Sequence, residues 1–227
     1  MLKKWETLPD TMQTPEVAQY YEILQHKPLG LFCKRLFDIL VSLILLVLLS
    51  PVMLIISIWI KCDSKGPVMF RQTRVTTAGK EFRIFKFRTM VTDAEKLGTQ
   101  VTVGKDPRIT RSGHFLRKFR LDELPQLLNV LAGDMSFVGT RPEVPRYVEK
   151  YTPEMWATLL LPAGITSEAS IKYKDEDKLL EAAEDVDQVY VEQVLPGKMK
   201  YNLDYIRSFH FLGDIRIMIQ TVFAVLR

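Results

Sequence analysis

The chain has 227 residues, 47% of them hydrophobic and 26% charged, with a formal net charge of +4. About 165 residues follow its one long apolar run, which is enough for a single compact domain and short of what two would need. The two cysteines, Cys33 and Cys62, sit just outside the ends of that run and read as thiols of a reducing compartment. No Cys and His spacing suggests zinc, and His26, His114 and His210 are scattered as surface or packing residues would be.

Residues 1–33 are polar, with a helical pattern around Val17, Tyr20, Tyr21, Ile23 and Leu24 and the start signal Thr14-Pro15-Glu16. They read as an N-terminal cytoplasmic arm or helix. The stretch from Ile39 to Ile60 then carries no charge. Its 22 residues would reach roughly 33 Å as a straight helix, about the thickness of a bilayer hydrocarbon core. Pro51 stands in the middle of it. Proline lacks the N–H, and its ring clashes with the carbonyl of Val47, a strain of about 3 kcal/mol that a bend relieves. The Ser50 hydroxyl can bond a carbonyl freed there. Lys34 and Arg35 before the run and Lys61 and Lys65 after it give both ends a preference for the cytoplasmic side. A re-entrant dip is therefore expected, with a kinked single-pass helix as the alternative. A secretory signal fits poorly, because the run starts late, follows acidic residues and has no small-residue cleavage site.

Val68 to Val75 and Glu81 to Met90 alternate in hydrophobicity around the turn Thr77-Ala78-Gly79-Lys80, which predicts a β-hairpin. Its charges include Arg71, Arg74, Lys86 and Arg88, and solvated edge residues that deter aggregation would look the same. From Lys61 to Arg120 fifteen basic residues face five acidic ones. Such a basic stretch beside a membrane segment suits anionic headgroups, nucleic acid or phosphorylated small molecules.

Leu121 to Leu131 predicts a short helix whose apolar face is Leu121, Leu124, Leu127, Leu128 and Leu131. Proline is tolerated only in a first turn, so Pro125 puts Asp122 and Glu123 at the helix start, where acids also belong as cap and dipole partners. Arg111, Arg117, Lys118 and Arg120 crowd the same entrance. Clustered cations with free N–H groups make a phosphate site, and a carboxylate inside one can serve as nucleophile or metal ligand. Downstream, the segment 133–143 ends in a stiff loop that can bring Arg141 to the same anion. Nine acids against three lysines between Ile165 and Glu192, among them Asp175, Glu176, Asp177, Glu184, Asp185 and Asp187, predict a water-facing stretch. The apolar residues of the segment 214–227 are not confined to one face, which favours core packing over an interfacial helix.

These blocks together resemble the small form of the bacterial sugar transferases, monotopic polyprenyl-phosphate phosphoglycosyl transferases. The likeness runs through Lys34-Arg35-Leu36-Phe37-Asp38, Ser50-Pro51, Gly66 to Gln72, Phe85 to Met90, Asp106 to Thr110, Leu121 to Gln126, Gly139 to Glu143 and Pro162 to Thr166. Thr140 and Ser167-Glu168 depart from the family pattern, at places that touch nucleotide or sugar preference. Residues 1–33 extend beyond the minimal catalytic form, and the multi-helix N-terminal region of larger members is not expected.

The resemblance implies an α+β, mainly helical fold: a re-entrant helix-break-helix over 34–61, broken at Ser50-Pro51, and a cytoplasmic catalytic domain over 62–227 with a small β-hairpin. It implies an enzyme of the inner membrane's cytoplasmic face that moves a sugar 1-phosphate from a UDP-sugar to undecaprenyl phosphate and releases UMP. That reaction opens the assembly of an exopolysaccharide, capsule, O-antigen or other glycoconjugate. Asp122 would be the nucleophile, with Glu123 positioning a Mg²⁺ ion or the lipid phosphate and both carboxylates as metal ligands. Lys86, Arg88 and Arg117 would hold diphosphate oxygens together with Arg141, and Arg141-Pro142 would meet the nucleotide base. The implied partners are the UDP-sugar, undecaprenyl phosphate, membrane lipids and, as an open alternative, a second copy of the chain, with no nucleic acid. The competing reading from charge alone is a membrane-anchored basic protein that binds anionic lipid or nucleic acid without catalysis.

Overall fold

The computed structural model describes residues 2–92, 94, 106–174, 180 and 185–226. Of the expected water-facing acids, Asp175, Glu176, Asp177 and Glu184 lie outside the described residues. Asp185 is exposed, and Asp187 pairs with Arg146 at 2.7 Å.

Helix α1, Pro15–Gln25, begins as its sequence predicts, with Pro15 in the first turn and the Thr14 hydroxyl accepting from the Val17 N–H. Val17, Tyr20 and Leu24 fall on one face, and each is fully buried. They join Leu8, Met12, Tyr147, Leu160, Met199 and Phe209 in the largest apolar core of the molecule. Each such side chain contributes about 1.5–3 kcal/mol on burial. The segment read as an arm is therefore built into the domain formed by the chain's C-terminal half.

Helix α2 runs from Pro28 to Asp63, longer at both ends than the expected segment. The helical pattern continues through Ser50 and Pro51, so the expected break takes the form of a proline inside one helical segment and not of a loop between two helices. The lost Pro51 N–H is offset locally: the Ser50 hydroxyl donates to the Val47 carbonyl at 2.8 Å, the acceptor that proline leaves without its usual partner. Among the described residues this is the one helix long and apolar enough to cross a membrane.

One stripe of α2 faces the domain along its whole length. Lys34, Asp38, Ser42, Ile56 and Ile60 are buried, and Leu45, Leu49 and Met53 are partly buried between them. The opposite face exposes Leu36, Leu40, Leu43, Val47, Leu54 and Ile58. Lys34 and Arg35, read as flanking charges, turn inward. Lys34 Nζ donates to Asp214 Oδ2 and to the Val138 carbonyl, both at 2.7 Å. Arg35 holds the Val130 and Leu131 carbonyls at 2.7 and 2.9 Å.

Strands β1, Met69–Val75, and β2, Glu81–Phe87, form the expected antiparallel hairpin, with Met69 opposite Phe87 and Val75 opposite Glu81. Ala78 and Gly79 turn it with φ of 56° and 71°. Helix α3, Arg111–Lys118, is capped by the Thr110 hydroxyl, which accepts from the Gly113 N–H at 3.0 Å. The helix expected over 121–131 is two pieces, a 3₁₀ turn Leu121–Glu123 and helix α4, Gln126–Ala132. Pro125 separates them, having no N–H to continue a helix and a ring that would press on the Leu121 carbonyl.

A second pair, β3, Met135–Val138, and β4, Ala163–Thr166, is parallel. The Gly139 N–H donates to the Thr166 carbonyl and the Gly164 N–H to the Thr140 carbonyl, at 3.0 and 2.8 Å. The two glycines lie backbone to backbone: a Cβ on Gly164 would meet Gly139 N at 2.2 Å. That contact fixes where the chain emerges toward Arg141.

Short helices α5, Pro145–Val148, α6, Glu168–Lys172, and α7, Val186–Val189, lead through a π-helical turn, Tyr190–Val194, into α8, Leu195–Arg207. The final helix α9, Phe211–Leu226, buries Asp214 and Ile217 but exposes Leu212, Ile219, Val222 and Phe223. The expectation of simple core packing is corrected: one side of α9 packs on β3 and α2, and the other is open and apolar. Trp59, Phe115 and Phe119 are also at the surface, with ring centroids 5.4 and 4.8 Å apart in succession. Exposed apolar faces of this extent mark a surface that meets something other than water.

Candidate active site around Asp122 and Glu123

The site begins with a backbone reversal. Arg120 takes φ 56°, ψ 21°, a left-handed conformation that costs a non-glycine residue roughly 1–2 kcal/mol. It swings the chain from the basic end of α3 into the turn holding Asp122 and Glu123, which are 7% and 9% exposed. No helix-capping hydrogen bond is made by either side chain, so the cap explanation of these acids does not describe what they do.

The two neighbours have opposite surroundings. Glu123 Oε1 accepts from Arg141 at 2.8 Å and Lys86 at 3.0 Å, with Arg120 Nη1 at 3.8 Å. Burial pushes this carboxyl up, but Arg141 and Lys86 outweigh it and hold it well below the usual range. Asp122 is pushed up by burial and by the Glu123 charge, against the pull of Lys86 and Arg117. Its Oδ1 is buried with no hydrogen-bond partner among the described residues. Buried acceptors are normally satisfied, and one that is not calls for an explanation in chemistry. Burial also pushes the Lys86 ammonium down, against the opposing Glu123 charge.

The turn opens onto a cavity of about 710 Å³. Arg74, Lys86, Arg117, Arg120 and Arg141 line it beside the two carboxylates, a surplus of positive charge suited to phosphate oxygens. A second wall is apolar, with Leu45 and Leu49 from α2 and Phe137, Ile165 and Ile171 from the domain. A third is polar and aromatic, built by Glu143, Tyr147, Tyr190 and Lys198.

Of the expected site residues, Asp122, Glu123, Lys86, Arg117, Arg141 and Pro142 line this cavity together. Arg117 Nε donates to Thr89 Oγ1 at 3.2 Å, and the Pro142 carbonyl accepts from Arg74 at 3.0 Å. Arg88 stands apart. Its guanidinium donates to the Ser64 and Lys65 carbonyls at 2.7 and 2.8 Å, closing the C-terminal end of α2. Ser50 and Pro51 are exposed in the middle of α2, outside the cavity lining.

Arg74, Glu143, Tyr190 and Lys198 were not singled out from sequence as site residues. Arg74 looked like an edge charge, a description that holds for the neighbouring Arg71, whose guanidinium lies 4.9 Å from the Phe85 ring centroid. Glu143 directly follows Arg141-Pro142, which was the available signal. Tyr190 and Lys198 reach the site only through tertiary packing.

Among the described residues no three His, Cys, Asp or Glu side chains cluster as a ready-made metal cage. Mg²⁺ bound through one or two carboxylates plus substrate phosphates needs no such cage. The unpartnered Asp122 oxygen beside Glu123 fits that donor set.

The family model for bacterial sugar transferase matches residues 29–227. The chain is similar to an Aeromonas hydrophila UDP-N-acetylgalactosamine-undecaprenyl-phosphate N-acetylgalactosaminephosphotransferase, 37% identical over 88% of this chain and 45% of the relative. It is 40% identical to the UDP-glucose:undecaprenyl-phosphate glucose-1-phosphate transferase of Escherichia coli K12, over 84% of this chain and 39% of that protein. A Caulobacter vibrioides protein of the same description is 34% identical over 85% of this chain and 69% of its own length. The chain thus spans less than half the length of the first two relatives.

Proposed function

The chain belongs to the bacterial sugar transferase family, and from that premise we propose that it transfers a sugar 1-phosphate from a UDP-sugar to undecaprenyl phosphate. The observation that carries the proposal is the Asp122 oxygen, buried and unpartnered in a cation-lined cavity while Glu123 Oε1 next to it holds Arg141 and Lys86.

In the first step an Asp122 oxygen attacks the β-phosphorus. The bond from that phosphorus to the oxygen bridging the two phosphates breaks, UMP departs with the electron pair, and a sugar-phosphoryl aspartate remains. In the second step an oxygen of undecaprenyl phosphate attacks the same phosphorus, the bond to Asp122 breaks, and the carboxylate is restored. Neither step needs proton chemistry at the nucleophile. Phosphoryl transfer depends chiefly on alignment and on neutralised equatorial oxygens.

Glu123 fixes Lys86 and Arg141 in place, so their positive charge is preorganised instead of being recruited during the reaction. Arg117 adds positive potential at Asp122 from the end of α3. Mg²⁺, held by Asp122 and Glu123 together with diphosphate oxygens, would supply further neutralisation of the transferring group. Arg141 and Pro142, which line the same cavity, would meet the nucleotide.

The acceptor explains the membrane helix. A polyprenyl phosphate keeps its phosphate at the headgroup plane and its tail in the hydrocarbon, so the enzyme must meet it there. Leu45 and Leu49 belong both to α2 and to the cavity wall, giving the lipid an apolar approach to Asp122. We read α2 as re-entrant at the cytoplasmic face of a bacterial inner membrane, because its inner stripe stays against the domain from Lys34 to Ile60. A helix crossing the bilayer on its own would leave that domain behind. The open face of α9 and the Trp59, Phe115 and Phe119 rings extend the same apolar surface, with aromatic side chains suited to the interface.

The test is direct. Purified protein with a UDP-sugar, Mg²⁺ and undecaprenyl phosphate releases UMP, and Asp122→Asn does not; turnover retained in that variant sinks the nucleophile. Single cysteines placed before Lys34 and after Lys65 label from the same side of intact cells, and labelling from opposite sides ends the re-entrant reading.

A further inference from the structure

Resting on the UDP-sugar reading above, we infer that Glu143, Tyr190 and Lys198 form the subsite that reads the hydroxyl groups of the donor's sugar ring, as distinct from its nucleoside. The three side chains share the cavity with Asp122 and are among the least accessible polar groups lining it, at 7%, 4% and 4% exposure for the whole residues. Tyr190 OH donates to Glu143 Oε1 at 2.6 Å, and Lys198 Nζ donates to the Tyr190 oxygen at 3.3 Å. Arg141 and Glu143 lie two residues apart, so their backbones are within about 7 Å of each other. One of them touches the Glu123 cluster and the other the Tyr190 cluster. The subsite is therefore a short step from the place where the transferring phosphate would sit, where the ring bonded to that phosphate must lie.

The aromatic geometry argues against a base. Tyr147 and Tyr190 rings lie 4.7 Å apart, the Lys198 ammonium is 5.2 Å from the Tyr190 centroid, and the Arg146 guanidinium is 4.7 Å from the Tyr147 centroid. Each ring already carries two partners, so the chemistry that the cluster brings to the cavity is that of its polar heads: carboxylate, phenol and ammonium. Closely spaced donors and acceptors match the vicinal hydroxyls of a sugar, and a planar base would want an open ring face. Tyr190 also opens a π-helical turn, a widening of the helix that is frequent at functional sites. Two of the relatives described above, from Aeromonas hydrophila and Escherichia coli, act by their names on donors with different sugars and the same nucleotide, which is the distinction such a subsite would make.

Three variants of the full chain reach the cluster independently: Tyr190→Phe removes the hydroxyl and keeps the stack, Glu143→Gln keeps size without charge, and Lys198→Gln removes the ammonium. Thermal midpoints identify those that fold, and each folded variant is assayed with UDP-glucose, UDP-galactose, UDP-N-acetylglucosamine and UDP-N-acetylgalactosamine. The expected result is a change of about tenfold or more in the ratio of kcat/KM between the two best donors, because a site built around sugar hydroxyls discriminates by what it leaves unpaired. Inhibition by UMP and KM for undecaprenyl phosphate stay at their wild-type values. An unchanged donor ratio overturns the inference, and so does UMP inhibition that weakens in step with kcat/KM, which would make the cluster a nucleoside site. Wild-type protein that releases UMP from none of these donors overturns the donor reading as well; a failure of the subsite alone shows only in the comparison of wild type with variants.

Discussion

Two buried charge clusters lie at opposite ends of this domain's problem, one anchoring α2 and one at the Asp122 turn. At the anchor, Lys34 Nζ meets Asp214 Oδ2 at 2.7 Å, Tyr205 OH donates to Asp214 Oδ1 at 2.8 Å, and Asp38 Oδ1 accepts from Ser136 Oγ and Phe137 N at 3.1 Å each. At the turn, Glu123 is equally well served, but Asp122 Oδ1 has no partner among the described residues. Burial is similar in both places, so burial does not distinguish structure from chemistry. Satisfaction does: the anchor has spent its hydrogen-bonding capacity on the fold, and the turn keeps one oxygen in reserve.

The sharpest break of that comparison is a pair of substitutions read in two assays. Asp122→Asn should lower UMP release by about 10³-fold or more, the scale on which covalent catalysis collapses without its nucleophile. Its thermal midpoint should hold or rise, since a buried charge with an unsatisfied oxygen is removed. Lys34→Met should do the reverse in stability, costing about 3–5 kcal/mol by leaving Asp214 buried without its cation. A Lys34→Met protein with an unchanged midpoint in detergent would show that the anchor is not structural. An Asp122→Asn protein that unfolds would show that the turn is.

Glu123→Gln comes next. It keeps a hydrogen-bond acceptor near Lys86 and Arg141 but removes the charge that holds them, so UMP release should fall by about 10²-fold, the scale of losing one preorganised electrostatic element. The stability effect has a definite sign. The Glu123 carboxyl is held below its ordinary value, so its stabilisation is present above the unfolded-state pKa and is lost as pH falls toward the folded one. Acid unfolding of the wild type should therefore show a contribution below the ordinary glutamate range that Glu123→Gln lacks, measurable by thermal melts across acidic pH.

These tests concern residues that differ in how far the sequence revealed them. The Asp122-Glu123 turn was legible because Pro125 restricts what can precede α4 and because cations crowd the same few positions. The hairpin and α1 were legible from alternation and from the Thr14-Pro15 start. Strands β3 and β4 were not, since all four residues of β3 are buried and no alternation marks it. Arg88 misled for a different reason: its partners are backbone carbonyls at the end of α2, which no side-chain pattern can announce. Tyr190, which opens the π-helical turn, and Lys198, in α8, join the cavity through tertiary packing that residue spacing does not encode.

A subtler probe uses the pH dependence of turnover. Burial raises the Asp122 carboxyl above its ordinary value, while the Lys86 charge pulls it down. In the proposed reaction the attacking form is the carboxylate, so kcat/KM should fall on the acid side at a pH above the ordinary aspartate range. In Lys86→Met the opposing charge is gone, and that limb should move to still higher pH. Movement in the acid direction would mean that the group titrating in the assay is not Asp122.

The smallest expected effect lies in α2, at a residue outside the cavity lining, and tests how the helix passes Pro51. Ser50 Oγ holds the Val47 carbonyl that Pro51 leaves without an N–H, and removing one such hydrogen bond costs about 0.5–1.5 kcal/mol. In Ser50→Ala the carbonyl loses its partner while the proline ring still presses on it, so α2 should yield at this point before anywhere else. Amide exchange of Val52 to Ile55 should quicken relative to the same residues in wild type, with α1 unchanged. Pro51→Ala in the same background restores the N–H donor and should reverse the change. If exchange in Ser50→Ala stays at the wild-type level, the hydroxyl is not what carries the helix through Pro51, and the continuity of α2 must rest on its packing against the domain alone.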